Sequence, residues 1–186
     1  MKSIDELPKS ENTQAARLCR SLAANIGQTV AEEFAKTLPL SRSADDRKRF
    51  QWALNVCSWL EERFSNEELQ QIRKACSCQP GSKAEKVKRL YESSADYAEF
   101  CERFNREYAP INRLTYDGEA LYLLYPACYC SCIKRGDENL TDTWCLCTLG
   151  YAERLFSHAL SHEVFAQLLE SIKTGGETCV IKMIPV

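Results

Sequence analysis

The strongest constraint on this chain is a change of hydrophobic period at Pro110. Before it, apolar residues recur at three-or-four spacing, one face of an amphipathic helix. Ala16, Cys19, Leu22, Ala23, Ile26, Val30 and Phe34 predict one helix from Thr13 to the Leu38-Pro39 stop, since the residue before proline avoids helical backbone. A second follows Ser43, with Phe50, Ala53, Leu54, Cys57 and Leu60 on one side. Ser65 with Glu68 is a capping-box pattern, repeated by Ser82 with Glu85, and Ser94 opens a helix carrying Tyr97, Phe100, Cys101 and Phe104. After Pro110, Asp117-Gly118 separates two short strand-like runs, which predicts a hairpin with a two-residue turn. Leu149, Ala152, Leu155, Phe156 and Ala159 then mark a helix. Ser161 caps another with Val164, Phe165, Leu168, Leu169 and Ile172, ended by Gly175-Gly176. Thr178 to Ile184 reads as a closing strand.

Segregated helices and antiparallel strands predict an α+β fold. N-terminal helices (residues 1–110) pack with a cysteine-rich portion (111–186) made of an antiparallel sheet, hairpin plus terminal strand, and two late helices. With 186 residues the two portions form one integrated domain.

The redox compartment decides how the 11 cysteines are read. The N-terminus lacks the apolar run of a signal peptide, and no stretch approaches the ~20 apolar residues of a membrane span. The reading is a cytoplasmic chain with no membrane partner. A net charge of −2 gives no electrostatic reason to expect nucleic acid. A homodimer is compatible with everything in the sequence. In a reducing compartment clustered thiols point to metal ligation or redox chemistry rather than structural disulfides. Cys19, Cys57 and Cys101 fall on apolar stripes and read as buried small hydrophobes.

The informative cluster is Cys128, Cys130 and Cys132, followed by Cys145 and Cys147. On a strand the first three share a face, and a tetrahedral zinc ion takes about four such thiolates. Residues two apart on a helix point about 200° from each other. Cys145 and Cys147 therefore share an ion only if their segment is extended, with Thr148 capping the helix that follows. Cys76 and Cys78 interrupt a helix and are further candidate ligands. Zinc is the expected cofactor, with an iron–sulfur cluster as the alternative because the thiols exceed one ion's need.

His158 and His162 are four apart, but the Ser161 cap signal breaks the helix between them and argues against shared ligation. Glu119, Glu153 and Glu170 read as solvated carboxylates. Tyr122, Tyr125, Tyr129, Trp144, Tyr151 and Phe156 bracket the cysteines as core packing, a few of them lining an apolar ligand cavity.

The run Tyr125-Pro-Ala-Cys128-Tyr-Cys130, then Trp144-Cys145-Leu-Cys147-Thr-Leu-Gly150-Tyr151, then Glu170 to Ile184 resembles an uncharacterised bacterial family of cysteine-rich proteins. Its ending is similar to 4-vinyl-reductase-type and aminothiazoline-carboxylate-hydrolase-like domains. Over residues 70–186 the resemblance implies an α+β fold with a small-molecule cavity and, from the first of those domain types, zinc. It places Cys179 on the terminal strand, outside the ligand set. Three functions follow: a metal-binding small-molecule-binding or sensing domain, a metal-dependent hydrolase of a small C–N or thiazoline-like substrate, and a redox-responsive thiol protein.

Overall fold

The computed structural model describes residues 13–130, 132–133 and 138–186. The chain divides into two units, Met1–Ser77 with Tyr129–Cys147, and Cys78–Cys128 with Thr148–Val186.

In the first unit the helix expected from Thr13 onward is two helices, α1 (Thr13–Asn25) and α2 (Gln28–Thr37). The break is Gly27, at φ 144° and ψ 160°, a backbone region that is essentially glycine-only. α3 (Asp46–Glu61) is capped by Asp45, whose carboxylate accepts from Lys48 N. α4 (Asn66–Ala75) carries the expected capping box: Ser65 Oγ accepts from Glu68 N, and Glu68 Oε2 accepts from Ser65 N. Ser21 Oγ donates to Ile72 O and ties α1 to α4. The core gathers around Phe34, whose ring meets Trp52 and Trp59 edge-on at 6.4 and 5.4 Å. Cys19 and Cys57 are buried in it, as read.

The second unit begins with α5 (Ser82–Glu92) and α6 (Tyr97–Tyr108). Gly81, at φ 55°, precedes α5 and no side chain caps it, so the Ser82–Glu85 box does not form. Asp96, not Ser94, caps α6 through Glu99 N. β1 (Arg113–Tyr116) and β2 (Leu121–Tyr125) form the expected hairpin with Tyr116 opposite Leu121. Its connection has four residues rather than two, because Asp117 Oδ1 accepts from both Glu119 N and Ala120 N and holds a wider turn.

α7 spans Asp142–Leu160, giving residues up to Cys147 to the first unit and the rest to the second. The second late helix expected over 161–172 is instead β3 (Val164–Glu170). Ser161 takes φ 59° and ends the helical path. Beyond it, buried Val164 and Ala166 alternate with exposed Phe165 and Gln167, a period of two that places one face on the core. β4 (Cys179–Pro185) completes a four-stranded, fully antiparallel sheet in the order β1-β2-β4-β3. The α+β class expected from the sequence is the one observed.

Side chains take up some of the outward main-chain groups on both sheet edges. Asn105 on α6 donates to Leu114 O and accepts from Leu114 N, at 2.8 and 2.7 Å. Along β3, Ser157 Oγ accepts from Val164 N and Glu153 Oε1 from Ala166 N. Satisfying the outward main-chain groups blunts edges that would otherwise recruit another strand. Phe100, Phe104 and Phe156 meet one another edge-on or tilted at 6.1–6.4 Å and are fully buried, as are Leu121, Leu123, Ile181 and Met183 of the sheet, the residues of this unit's core. Cys101 lies in it, as read. Among the described residues, no helix is long and apolar enough to cross a membrane.

Candidate functional site

The cysteine-rich segments take different local structures from those the spacing suggested. β2 ends at Tyr125, and Cys128, Cys130 and Cys132 follow it outside any strand, so strand alternation does not align them. Ile133 N donates to Cys130 O in a turn. Cys145 and Cys147 lie inside α7, which begins at Asp142 rather than Thr148. Two residues apart on a helix, their side chains diverge by about 200°, so the extended segment that would let them share an ion is absent.

What the first unit gathers instead is a group of thiols around Arg73. This residue sits in the last turn of α4 and is only 4% exposed. Its Nε donates to Thr143 O at 3.0 Å and its Nη2 to Trp144 O at 2.6 Å, both in the first turn of α7. Its Nη1 donates to Cys76 Sγ at 3.3 Å, and that thiol donates back to Arg73 O at 3.2 Å. The guanidinium also lies over the Trp144 ring, 4.6 Å from its centre. Cys57, Cys130 and Cys147 complete its ionisable surroundings. Among the described residues its hydrogen bonds end on two carbonyls and a sulfur, none of them a carboxylate.

The electrostatics of this arrangement are unbalanced. Burial works against the charge on Arg73, while Cys76, Cys147, Cys57 and Cys130 raise its pKa by whatever thiolate character they carry. The thiols themselves move the other way. Burial pushes Cys147 up to about 12 against the downward pull of Arg73. Burial and Cys130 push Cys132 up to about 12, with Arg49 and Arg73 opposing. Burial raises Cys57 despite its hydrogen bond with Thr141. The two tendencies conflict, and the thiols decide between them, because a guanidinium stays protonated at any working pH. The buried cation thus lies near Cys57, Cys132 and Cys147, thiols whose burial favours the neutral form.

The expected ligands are thus divided. Cys76, Cys130, Cys132, Cys145 and Cys147 belong to the first unit, with Cys132 buried and the others half-buried. Cys78, exposed, and Cys128, half-buried, belong to the second. Among the described residues no three His, Cys, Asp or Glu side chains are grouped as a metal would need. Cys179 lies on β4, where its Sγ accepts from Ile172 N at 3.5 Å.

Of the remaining candidates, His158, Glu153 and Glu170 have structural partners. His158 Nε2 sits 2.7 Å from Glu85 Oε1, and α7 ends at Leu160, so His162 lies beyond the helix. Glu119 is exposed. Glu153 is not simply solvated, since it holds the β3 edge. Glu170 Oε1 accepts from Thr178 N at 2.9 Å, which keeps its carboxyl below the ordinary value.

Arg73 was not singled out in the sequence, although a signal is there. It falls with Leu69 and Cys76 on the apolar stripe of α4, four residues after one and three before the other. A charge on that face is one the fold must bury.

Residues 9–186 match the family described as "Family of unknown function (DUF6144)". No curated protein sequence matches the chain. An H-NOX domain from Shewanella oneidensis in the Fe(II)CO ligation state aligns at 12% identity and TM-score 0.44, over 95% of this chain and 98% of that one. A histidine-to-glycine variant of it aligns at 11% and 0.46, over 94% and 98%. A structure described under "Modulating Heme Redox Potential Through Protein-Induced Porphyrin Distortion" aligns at 16% and 0.44, over 95% and 96%. At TM-scores below 0.5 these are loose likenesses and bring no ligand or activity to this chain.

Proposed function

The chain belongs to that family of unknown function, and from this premise we propose that it binds a soft metal ion through thiolates and senses a small molecule. Zinc is the ion these donors suit. The observation that carries the reading is the buried charge of Arg73, answered among its described neighbours by thiols and by no carboxylate. An uncompensated buried charge is costly. Thiolates formed on binding a metal would supply a counter-charge that the described neighbours lack, and a zinc ion with four thiolates keeps a net charge of −2 beside the guanidinium. Metal-bound cysteines are deprotonated regardless of how high burial holds the free thiol.

Within the first unit, Cys76 and Cys147 are the proposed principal ligands, with Cys130, Cys57 and Cys132 able to complete the set, while Cys145 points away from Cys147 on α7. Their sulfurs must draw together for an ion to bind, a movement of side chains and of the turn at Cys130. The Cys76–Arg73 hydrogen bond also favours a second reading. A thiol held by a guanidinium is the type that reacts with oxidants, which would make the group a redox-responsive switch without metal.

Elemental analysis of protein purified in reductant separates the two. The metal reading expects about one zinc per chain, lost in Cys76→Ser and Cys147→Ser variants. Substoichiometric metal in a folded, fully reduced protein would overturn it and leave the redox reading.

A further inference from the structure

A cleft in the first unit, lined by none of the cysteines described above, has the character of a small-molecule site. It lies between the α2–α3 connection and the exposed side of α3, with a volume of ≈ 510 Å³, within the range of ligand pockets. Its floor is apolar, formed by the buried residues Leu40, Ala44 and Trp52. Its rim is polar and exposed, with Ser43, Asn55 and Lys48. Lys48 contributes the only formal charge among the lining residues.

We propose that this cleft binds a small organic anion with an apolar body, a carboxylate or sulfonate whose charge meets Lys48 and whose hydrocarbon covers the floor. One floor residue, Trp52, is linked through Trp144 to the thiol group. Trp52 Nε1 donates to Leu38 O, fixing the indole against the connecting segment. The same indole meets Trp144 edge-on at 5.9 Å, and the Trp144 ring carries the Arg73 guanidinium. An occupant resting on Trp52 is thus two aromatic contacts from the charge that the metal reading depends on. The inference rests on the sensing part of that reading and names the ligand class and its place.

The test uses the full-length protein and the fluorescent anion 1-anilinonaphthalene-8-sulfonate as probe, with octanoate and octylamine as competitors. One saturable site is expected, displaced by octanoate and not by octylamine. Lys48→Gln weakens probe binding about fivefold, the effect of one exposed ion pair. Ser43→Trp, which fills the cleft from its exposed rim, abolishes the site while far-ultraviolet circular dichroism stays native. Absence of a saturable site, equal displacement by the amine, or binding untouched by Ser43→Trp overturns the proposal. Measured in reduced, metal-free protein, these outcomes are independent of whether zinc binds, so failure of the cleft and failure of the metal centre are distinguishable.

Discussion

Replacing Arg73 by methionine keeps most of the buried hydrocarbon and deletes the charge, so its effects reveal what the guanidinium is for. In metal-free protein two contributions oppose. The hydrogen bonds to Thr143 O and Trp144 O at 3.0 and 2.6 Å are lost, and bonds from a charged donor stabilise by about 1.5–3 kcal/mol each. Against this, the desolvation of a buried ion costs several kcal/mol, and no described carboxylate offsets it. The net change in unfolding free energy is expected within about 1 kcal/mol, read by urea denaturation in reductant. With metal bound the balance shifts. At the 3.3 Å separation of Nη1 and Cys76 Sγ, a unit charge pair is worth about 5 kcal/mol at an effective dielectric of 20. Relaxation removes part of this, and loss of a partner just outside the ligands lowers metal affinity about 10–100-fold, or about 1.4–2.7 kcal/mol. Competition against a chromogenic chelator measures that loss. Arg73→Lys retains charge without the planar fork and should fall between. Zinc affinity unchanged within twofold, or a metal-free protein destabilised by more than about 3 kcal/mol, would refute the reasoning and make Arg73 a purely structural residue.

Other parts of the fold offer simpler tests. Gly27→Ala meets no atom within 4 Å of its added Cβ; its φ of 144° alone should destabilise the protein by about 1–3 kcal/mol, measured by chemical denaturation. Ser65→Ala removes the cap of α4 and should cost about 1 kcal/mol in the same assay. The carboxyl of Asp117 is held down to about 2 by the Tyr122 hydroxyl and the Ala120 and Glu119 amides. A depressed carboxyl stabilises above its unfolded value near 4 and loses that contribution as pH falls toward 2. Asp117→Asn should therefore narrow the stability gap between pH 5 and pH 2, and nuclear magnetic resonance titration of the wild-type carboxyl should place its midpoint below 3.

The helices were legible where local chemistry and burial agree, as at Ser65–Glu68, where one side chain caps the next turn and the pattern needs no tertiary partner. The α1–α2 break at Gly27 was obscured because its apolar stripe runs on through Val30 and Phe34. β3 was misread because Val164, Phe165, Leu168 and Leu169 satisfy helical spacing while Val164, Ala166 and Leu168 satisfy alternation. The ladder offered by β4, from Val180 to Pro185, selects the strand. That choice depends on residues distant in sequence. The cysteine geometry was misjudged at α7 because its start was placed at Thr148, although Thr141-Asp142 carries a helix-start composition of its own. Arg73 escaped attention because its importance comes from what surrounds it in space.

X-ray absorption at the zinc edge of protein purified in reductant probes the metal centre most directly. Thiolate ligation predicts a dominant sulfur shell at about 2.3 Å, diminished when Cys147 is replaced by serine. A shell of nitrogen or oxygen alone, near 2.0–2.1 Å, would contradict a zinc ion held by the cysteines around Arg73.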